Sequence, residues 1–217
     1  MIKRFEEVEG RYIEKIIGQD RFAFAQSDTS DFYDLIEWSE TGNYPGSTIM
    51  FFDFESGNVY RPFEKKCNVI YSNPVYSQGF CYFLQGDYGE KKITLYRCFP
   101  GRCLEKETEL STDEVNLYNL RLIGNGVHII SQDENFECYY PEKISFPKKD
   151  NETAMLIEDD RIFFDAWIEE GWDSEKNCAT DAYRYYEKLI VRDFNGNLLS
   201  EEIGSLHQAS DGTWWLG

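Results

Sequence analysis

The sequence offers few side chains suited to acid–base or nucleophilic catalysis. Its 217 residues include only two histidines, His128 and His207. His128 stands between Val127 and Ile129, which favours a packed histidine over a general base. His207 can either line a channel or belong to a linker. Because the sequence also lacks a GxxxxGK[ST] phosphate loop and a GxSxG nucleophile turn, we favour a non-catalytic protein.

The cysteines and carboxylates do not form a recognisable metal motif. No CxxC pair occurs among the six cysteines, which are Cys67, Cys81, Cys98, Cys103, Cys138 and Cys178. The segment Asp193–Asn197 has calcium-binding residue types but lacks the later glutamate of a calcium loop, and a turn explains it. We therefore expect no metal, no cofactor and free thiols that act as small hydrophobic side chains.

The composition indicates a folded acidic protein. Asp and Glu number 40 against 22 Lys and Arg, which gives a formal charge of −18, and aromatic residues make up 17%. Disordered acidic chains are poor in aromatics. Such a charge argues against nucleic acid and against anionic membrane surfaces. The length predicts one domain over 1–217, and we expect a monomer.

The N-terminus indicates where the protein resides. It becomes acidic at Glu6, where a signal peptide would need an apolar run. No segment approaches the ~20 apolar residues that span a bilayer. We therefore expect a cytoplasmic protein.

A short pattern recurs five times along the chain. Each copy has an apolar residue, a turn rich in Asp, Asn, Gln, Gly or Arg, and a second, mostly apolar run. The copies occupy 17–24, 75–82, 122–129, 157–164 and 208–215. Asn-Gly and Asp-Gly pairs favour tight hairpins because both central residues tolerate positive φ. Each copy therefore predicts a β-hairpin.

A second predicted hairpin follows each of the first four copies, with turns near 56–58, 100–101, 141–142 and 195–196. The unit is thus four antiparallel strands, here called A to D, at a mean spacing of about 43 residues. That period is typical of a β-propeller blade. Apolar residues at helical spacing are nearly absent, and the segment Glu105 to Asn116 could form one helical turn at most.

The five copies resemble the blade repeats of the β-propeller superfamily. The last copy, 205–217, is similar to propeller repeats of bacterial two-component sensor proteins, which carry an Asp-Gly turn before an aromatic strand. The resemblance implies an all-β, five-bladed propeller of four-stranded antiparallel blades, and it implies nothing about function. The fifth copy has only strands A and B, so we predict that residues 2–8 pair with 213–217 and close the ring.

The B–C and D–A connections are expected to lie together on one face. Strand direction alternates, and these connections are long while the A–B and C–D turns are short. The B–C segments include 26–48, 86–90 and 167–183, which mix carboxylates with aromatic side chains that look exposed. The candidate binding residues are Trp38, Tyr44, Asp87, Tyr88, Trp167, Glu169, Glu170, Trp172, Asp173 and Tyr183.

These residues allow more than one interpretation. They can form a docking surface for a basic protein, with Trp167 or Trp172 as the anchor. Alternatively, the B and C strands extend as a ribbon in which the tryptophans pack on each other, or the face binds a small ligand. We favour an interaction module that captures a basic protein, as an inhibitor or immunity protein neutralises a basic toxin.

The alternative function is a carbohydrate-binding or glycoside-hydrolysing propeller. It would require a concave pocket with an exposed aromatic face and at least two convergent carboxylates. Aspartates near the hairpin turns, such as Asp20, Asp160 and Asp211, are explained by turn preference alone.

Overall fold

A computed structural model of the chain describes residues 2–28, 30–41, 44–124 and 126–217. Within these residues the fold is all-β, with several four-stranded antiparallel sheets. The first sheet contains β1 (Glu14–Lys15), β2 (Phe22–Gln26), β3 (Ile49–Asp53) and β4 (Val59–Tyr60), paired in chain order. The helix α1 (Leu35–Thr41) lies in the connection between β2 and β3.

The second sheet has a divided first strand. It contains β5 (Val69–Tyr71), β6 (Val75–Ser77), β7 (Phe80–Asp87), β8 (Lys92–Phe99) and β9 (Cys103–Ser111). Both β5 and β6 pair with β7, at opposite ends of that strand. Together they occupy the position of strand A.

The remaining sheets repeat the same hairpin order. The third contains β10 (Arg121–Ile123), β11 (His128–Gln132), β12 (Asn135–Tyr140) and β13 (Ile144–Pro147). The fourth contains β14 (Glu152–Glu158), β15 (Arg161–Asp173), β16 (Cys178–Asp193) and β17 (Leu198–Ile203). The fifth contains β18 (Leu206–Gln208) and β19 (Trp214–Leu216).

The hairpin turns have the backbone conformation that their residue types favour. Gln78 and Gly79 both have positive φ, as do Asp159 and Asp160. Both pairs connect consecutive antiparallel strands directly, as the repeat predicted. Asn125, in the third predicted turn, lies outside the described residues.

Consecutive sheets pack on one another through shared apolar clusters. Phe51 of the first sheet and Phe83 of the second have ring centroids 5.8 Å apart. Phe136 of the third sheet and Phe164 of the fourth are 5.6 Å apart. A further cluster joins the second and third sheets and takes in residues around α1. The dense apolar patterning of these strands follows from burial on both faces.

The fifth sheet contacts the fourth sheet and the first. The Leu206 backbone N–H donates to Asp165 Oδ1 at 2.9 Å, and the Gly18 N–H donates to the Ser210 carbonyl at 3.1 Å. In the described part of the chain, neither a closed barrel nor a closed ring of sheets is detected. The five-bladed ring therefore stays a prediction.

The N-terminal segment does not close a ring in the expected way. Residues 2–8 contain no strand and lie against the first sheet instead of residues 213–217. The Glu6 backbone N–H donates to the Gly57 carbonyl at 2.9 Å, and the ring of Phe5 packs 5.1 Å from that of Phe52. The predicted closure was wrong: Phe5 instead packs against the apolar cluster of Met50, Phe52 and Val59 in the first sheet, where its ring is partly buried.

The helix also differs from expectation. Residues 103–111 form β9, because the pairing with β8 satisfies their backbone groups. The helix instead begins at Leu35, which is fully buried. Among the described residues, no helix has the length and apolar character needed to cross a membrane.

Candidate functional site

The ten candidate residues fall into two groups. Trp38, Tyr44, Asp87 and Tyr88 lie around α1 and the β7–β8 turn, where the structure brings the three aromatic residues together. The other six, Trp167, Glu169, Glu170, Trp172, Asp173 and Tyr183, lie on the long β15–β16 hairpin.

The first group mainly anchors a loop. Tyr44 is only 1% exposed, contrary to expectation, and its hydroxyl donates to Asp28 Oδ2 at 3.1 Å. Burial and the Asp28 charge raise the pKa of Tyr44. The Tyr88 hydroxyl donates to the Phe32 carbonyl, and burial raises its pKa as well. Both hydroxyls therefore stay neutral and fix the loop that carries α1.

Asp87 and Trp38 complete this group. Asp87 Oδ2 accepts a hydrogen bond from Lys66 Nζ at 2.6 Å, and Oδ1 accepts the Glu90 backbone N–H at 3.1 Å. Asp87 therefore organises the β7–β8 turn. The ring centroid of Trp38 lies 5.7 Å from that of Tyr44, and Trp38 is the most exposed of the three aromatic residues.

The second group lies on a two-stranded projection. β14 pairs with β15 as far as Ala166, and β17 pairs with β16 only as far as Lys188. At the base of the projection, the Trp167 N–H still donates to the Asn151 carbonyl at 3.2 Å and the Gly204 N–H to the Glu187 carbonyl at 2.9 Å. From Ile168 opposite Tyr186 to Asp173 opposite Cys178, β15 and β16 pair with each other. We call residues 167–187 the ribbon.

Gly171 produces a bulge near the tip of the ribbon. Its φ is +75°, and the register shifts between Glu170 and Trp172. A Cβ at this position would lie 2.6 Å from the carbonyl carbon of Ala182. The Gly171 carbonyl accepts a 2.7 Å hydrogen bond from Thr180 Oγ1. The bulge therefore needs glycine, and it sets the direction of Trp172.

The ribbon tryptophans remain half exposed. Trp167 is 47% exposed and Trp172 is 46% exposed. The ring of Trp172 contacts Tyr183, with centroids 6.2 Å apart. In the described part of the ribbon no ring contact joins the two tryptophans, so the predicted ribbon is present without the predicted Trp–Trp packing.

The ribbon is acidic along both strands. Residues 169–185 contain five carboxylates and two cationic side chains. Glu169 Oε1 accepts a hydrogen bond from the Tyr183 hydroxyl at 2.8 Å. Hydrogen bonds from Tyr186 and Arg184 lower the pKa of Glu170, and backbone hydrogen bonds lower that of Asp173. These two carboxylates stay charged well below neutral pH, beside exposed indole rings.

A polar cluster that the sequence did not reveal joins the fourth and fifth sheets. Burial raises the pKa of Asp165, which accepts the Leu206 N–H, and Ser205 Oγ lies 3.0 Å from His207 Nε2. No hydrogen bond joins Asp165 to His207 among the described side chains, so the three do not form a proton relay. The sequence feature that could have indicated this cluster is Asp165 itself, a charged residue within the apolar run of β15.

His128 is a packed histidine. It is buried, and burial lowers its pKa although Glu142 Oε2 lies 3.7 Å from Nε2. Its Nδ1 has no hydrogen-bond partner in the described chain. A neutral, enclosed imidazole of this kind is poorly placed for proton transfer to a substrate.

A cleft of about 360 Å³ lies between the first strands of three sheets. Its lining includes Glu14 of β1, Asp31 before α1, and Arg121 of β10. Phe32 and Tyr71 also border the cleft, but both are buried in the apolar clusters. The cleft therefore has two carboxylates without an exposed aromatic face.

Comparison with known proteins gives no further assignment. No family model matches the chain, and no curated protein matches it either. Inference about function therefore depends on the geometry described above.

Proposed function

We propose that the protein is a five-bladed β-propeller that acts as a non-catalytic interaction module and binds a basic protein partner. The observation that supports this function is the ribbon, which extends beyond its neighbouring strands with half-exposed tryptophans among carboxylates. An inhibitor or immunity protein that neutralises a basic toxin would have this kind of surface.

Two features support the propeller arrangement. Shared clusters join the first four sheets in chain order, as expected of successive blades. The fifth sheet contacts the fourth through Asp165 and the first through Gly18. A ring of five sheets accounts for both sets of contacts with short connections.

The two kinds of ribbon side chain would have separate roles in binding. Half-exposed tryptophans are typical anchors, and truncation of one commonly costs a complex about 2 kcal/mol or more. The carboxylates increase the rate of encounter with a cationic partner, and added salt screens that effect. Trp172 is the better anchor because the Gly171 bulge places it near the tip.

The carbohydrate alternative has less support. The cleft contains Glu14 and Asp31, but Phe32 and Tyr71 are buried and cannot stack on a sugar ring. Sugar binding at this cleft would therefore lack the aromatic platform that it requires.

Affinity capture from the native host tests the proposal. We expect the wild-type chain to retain a basic protein at low salt and to lose it in about 0.5 M salt. Trp172→Ala should reduce retention by roughly tenfold or more. Trp38→Ala is the matched control, because Trp38 is similarly exposed but lies on α1. Equal retention by Trp172→Ala and wild type would contradict the proposal.

A further inference from the structure

The fifth sheet has fewer strands than the other four. β18 and β19 are three residues long and pair with each other, whereas every other sheet in the described chain has at least four strands. A two-stranded hairpin is only marginally stable in water without further packing. The outer edge of β19 is the position that a third strand would occupy.

The pairing of β18 and β19 leaves backbone groups available at this edge. Ser205 and Gly217 exchange both N–H···O bonds, at 2.9 and 3.1 Å. Hydrogen-bonded pairs alternate in an antiparallel ladder, so His207 and Trp215 form the next such pair. The N–H and C=O groups of Trp214 and Leu216 therefore point away from β18. No backbone partner for these four groups lies in the described part of the chain.

The side chains at this edge are largely apolar. Trp215 is 65% exposed and Leu216 is 41% exposed, and Ile203 at the end of β17 is also exposed. The Trp214 indole N–H is buried without an acceptor among the described residues. An exposed apolar edge with unpaired backbone groups is a template for another strand.

The negative charge near the outer edge of β19 favours a strand that carries positive charge. Asp211 lies in the turn between β18 and β19, and β17 adds Glu201 and Glu202, of which Glu201 is paired with Lys188 of β16 at 3.2 Å. Residues 198–217 contain no Lys or Arg. A cationic segment would therefore be attracted, and the exposed indole of Trp215 favours contact with Lys or Arg. A second copy of the chain would bring another net charge of −18 and is disfavoured.

We propose that β19 captures an extended, basic segment of another protein as the third strand of the fifth sheet. Backbone hydrogen bonds to Trp214 and Leu216 would provide affinity, and the carboxylates with Trp215 would provide selectivity for Lys and Arg. The proposal rests on the proposed function for the charge of the partner, but it uses a different surface from the ribbon.

A peptide titration tests the proposal. The probe is an end-capped seven-residue peptide of alternating Lys and Val, added to the full chain at low salt and followed by calorimetry. We expect saturable binding at one site. The same peptide with N-methyl groups on the amides of one edge should bind at least about tenfold more weakly, because those amides can no longer pair. A Glu–Val peptide should not bind.

Two variants locate the site. Leu216→Pro removes an N–H that points outward and should weaken binding about tenfold. Tyr12→Ala should leave peptide binding unchanged, since Tyr12 is an exposed aromatic residue that precedes β1. Circular dichroism shows whether Leu216→Pro folds. If it does not fold, the binding of the N-methylated and unmodified peptides to the wild-type chain tests the proposal instead.

Several results would overturn the proposal. The proposal fails if the Lys–Val peptide does not bind. It also fails if the N-methylated peptide, or a Gly–Lys peptide of the same charge, binds as tightly as the Lys–Val peptide. A wild-type dimer that Leu216→Pro dissociates would show that a second copy occupies the edge. Loss of binding in Trp172→Ala alone would place the peptide on the ribbon, which contradicts this proposal and supports the proposed function.

Discussion

Replacement of Asp53 by Asn should destabilise the first sheet in a pH-dependent way. The Asp53 side chain is fully buried at the end of β3. Its carboxylate accepts hydrogen bonds from Arg21 Nη2 at 2.8 Å, from Arg21 Nε at 3.2 Å, and from the Glu55 backbone N–H at 2.9 Å. Burial alone would raise the pKa of Asp53, but these hydrogen bonds outweigh it and lower the pKa to about 2.

The magnitude follows from that pKa. Lowering it from 3.8 to about 2 stabilises the folded state by roughly 2 kcal/mol at neutral pH. Asp53→Asn keeps the size of the side chain but removes its charge. Arg21 keeps its ion pair with Glu55, in which Nη1 lies 3.0 Å from Oε2. We therefore expect the free energy of unfolding to fall by about 2 to 3 kcal/mol at pH 7.

The stabilisation by Asp53 should decrease in acid. A carboxyl whose pKa is lowered by folding stabilises the protein above its unfolded pKa, and this contribution is lost as the pH falls through the folded pKa. The difference between wild type and Asp53→Asn should therefore shrink to about half by pH 3.

Urea unfolding at pH 7 and at about pH 3 measures both effects. Asp193→Asn is a suitable control, because Asp193 also accepts turn N–H groups, from Asn195 and Asn197, but is more exposed. It should cost less than about 1 kcal/mol. If Asp53→Asn were as stable as wild type at pH 7, or if the difference did not change with pH, the account of the Arg21–Asp53 pair would be refuted.

Three further predictions concern the core, the ribbon and the contact between sheets. Phe83→Ala should lower the free energy of unfolding by about 3 to 5 kcal/mol in urea titrations, because Phe83 is fully buried between the first two sheets; a loss below 1 kcal/mol would argue against that packing. Gly171→Val should disorder the ribbon tip, seen as faster amide exchange near Ala182, with little change in melting temperature; unchanged exchange would argue against the bulge. Because folding raises the pKa of Asp165 above its ordinary value of 3.8, its stabilising contribution is present in acid and lost as the pH rises, so wild type should lose stability relative to Asp165→Asn as the pH rises above 3.8; a constant difference would contradict the burial of this carboxyl.

The sequence predicted the features that depend on local conformation. The Gln78-Gly79 and Asp159-Asp160 turns form because those residues tolerate positive φ, and the apolar runs beside them pair as hairpins. The β15–β16 projection was also predicted as a possible ribbon, because its length exceeds what a blade needs.

The features that depend on distant contacts were not predictable in the same way. The packing of Phe5 on Phe52 replaces the expected pairing with β19, and nothing local to residues 2–8 reveals that face. Tyr44 looked like an exposed aromatic of a long loop, but it is buried because α1 folds onto the second and third sheets. Burial of a loop residue depends on tertiary packing that no short pattern encodes.

The distribution of cysteines gives the molecule selective chemical reactivity. Burial raises the pKa of Cys81, Cys98 and Cys138 to about 12, so these thiols stay protonated at neutral pH and are enclosed. Cys67 and Cys178 are exposed. Cys103 is partly exposed. A maleimide dye would therefore modify Cys67 and Cys178 first, and the double replacement Cys67→Ser and Cys103→Ser would leave Cys178 for single-site labelling. Because Cys178 lies opposite Asp173 near the ribbon tip, the dye would report directly on whatever approaches Trp172.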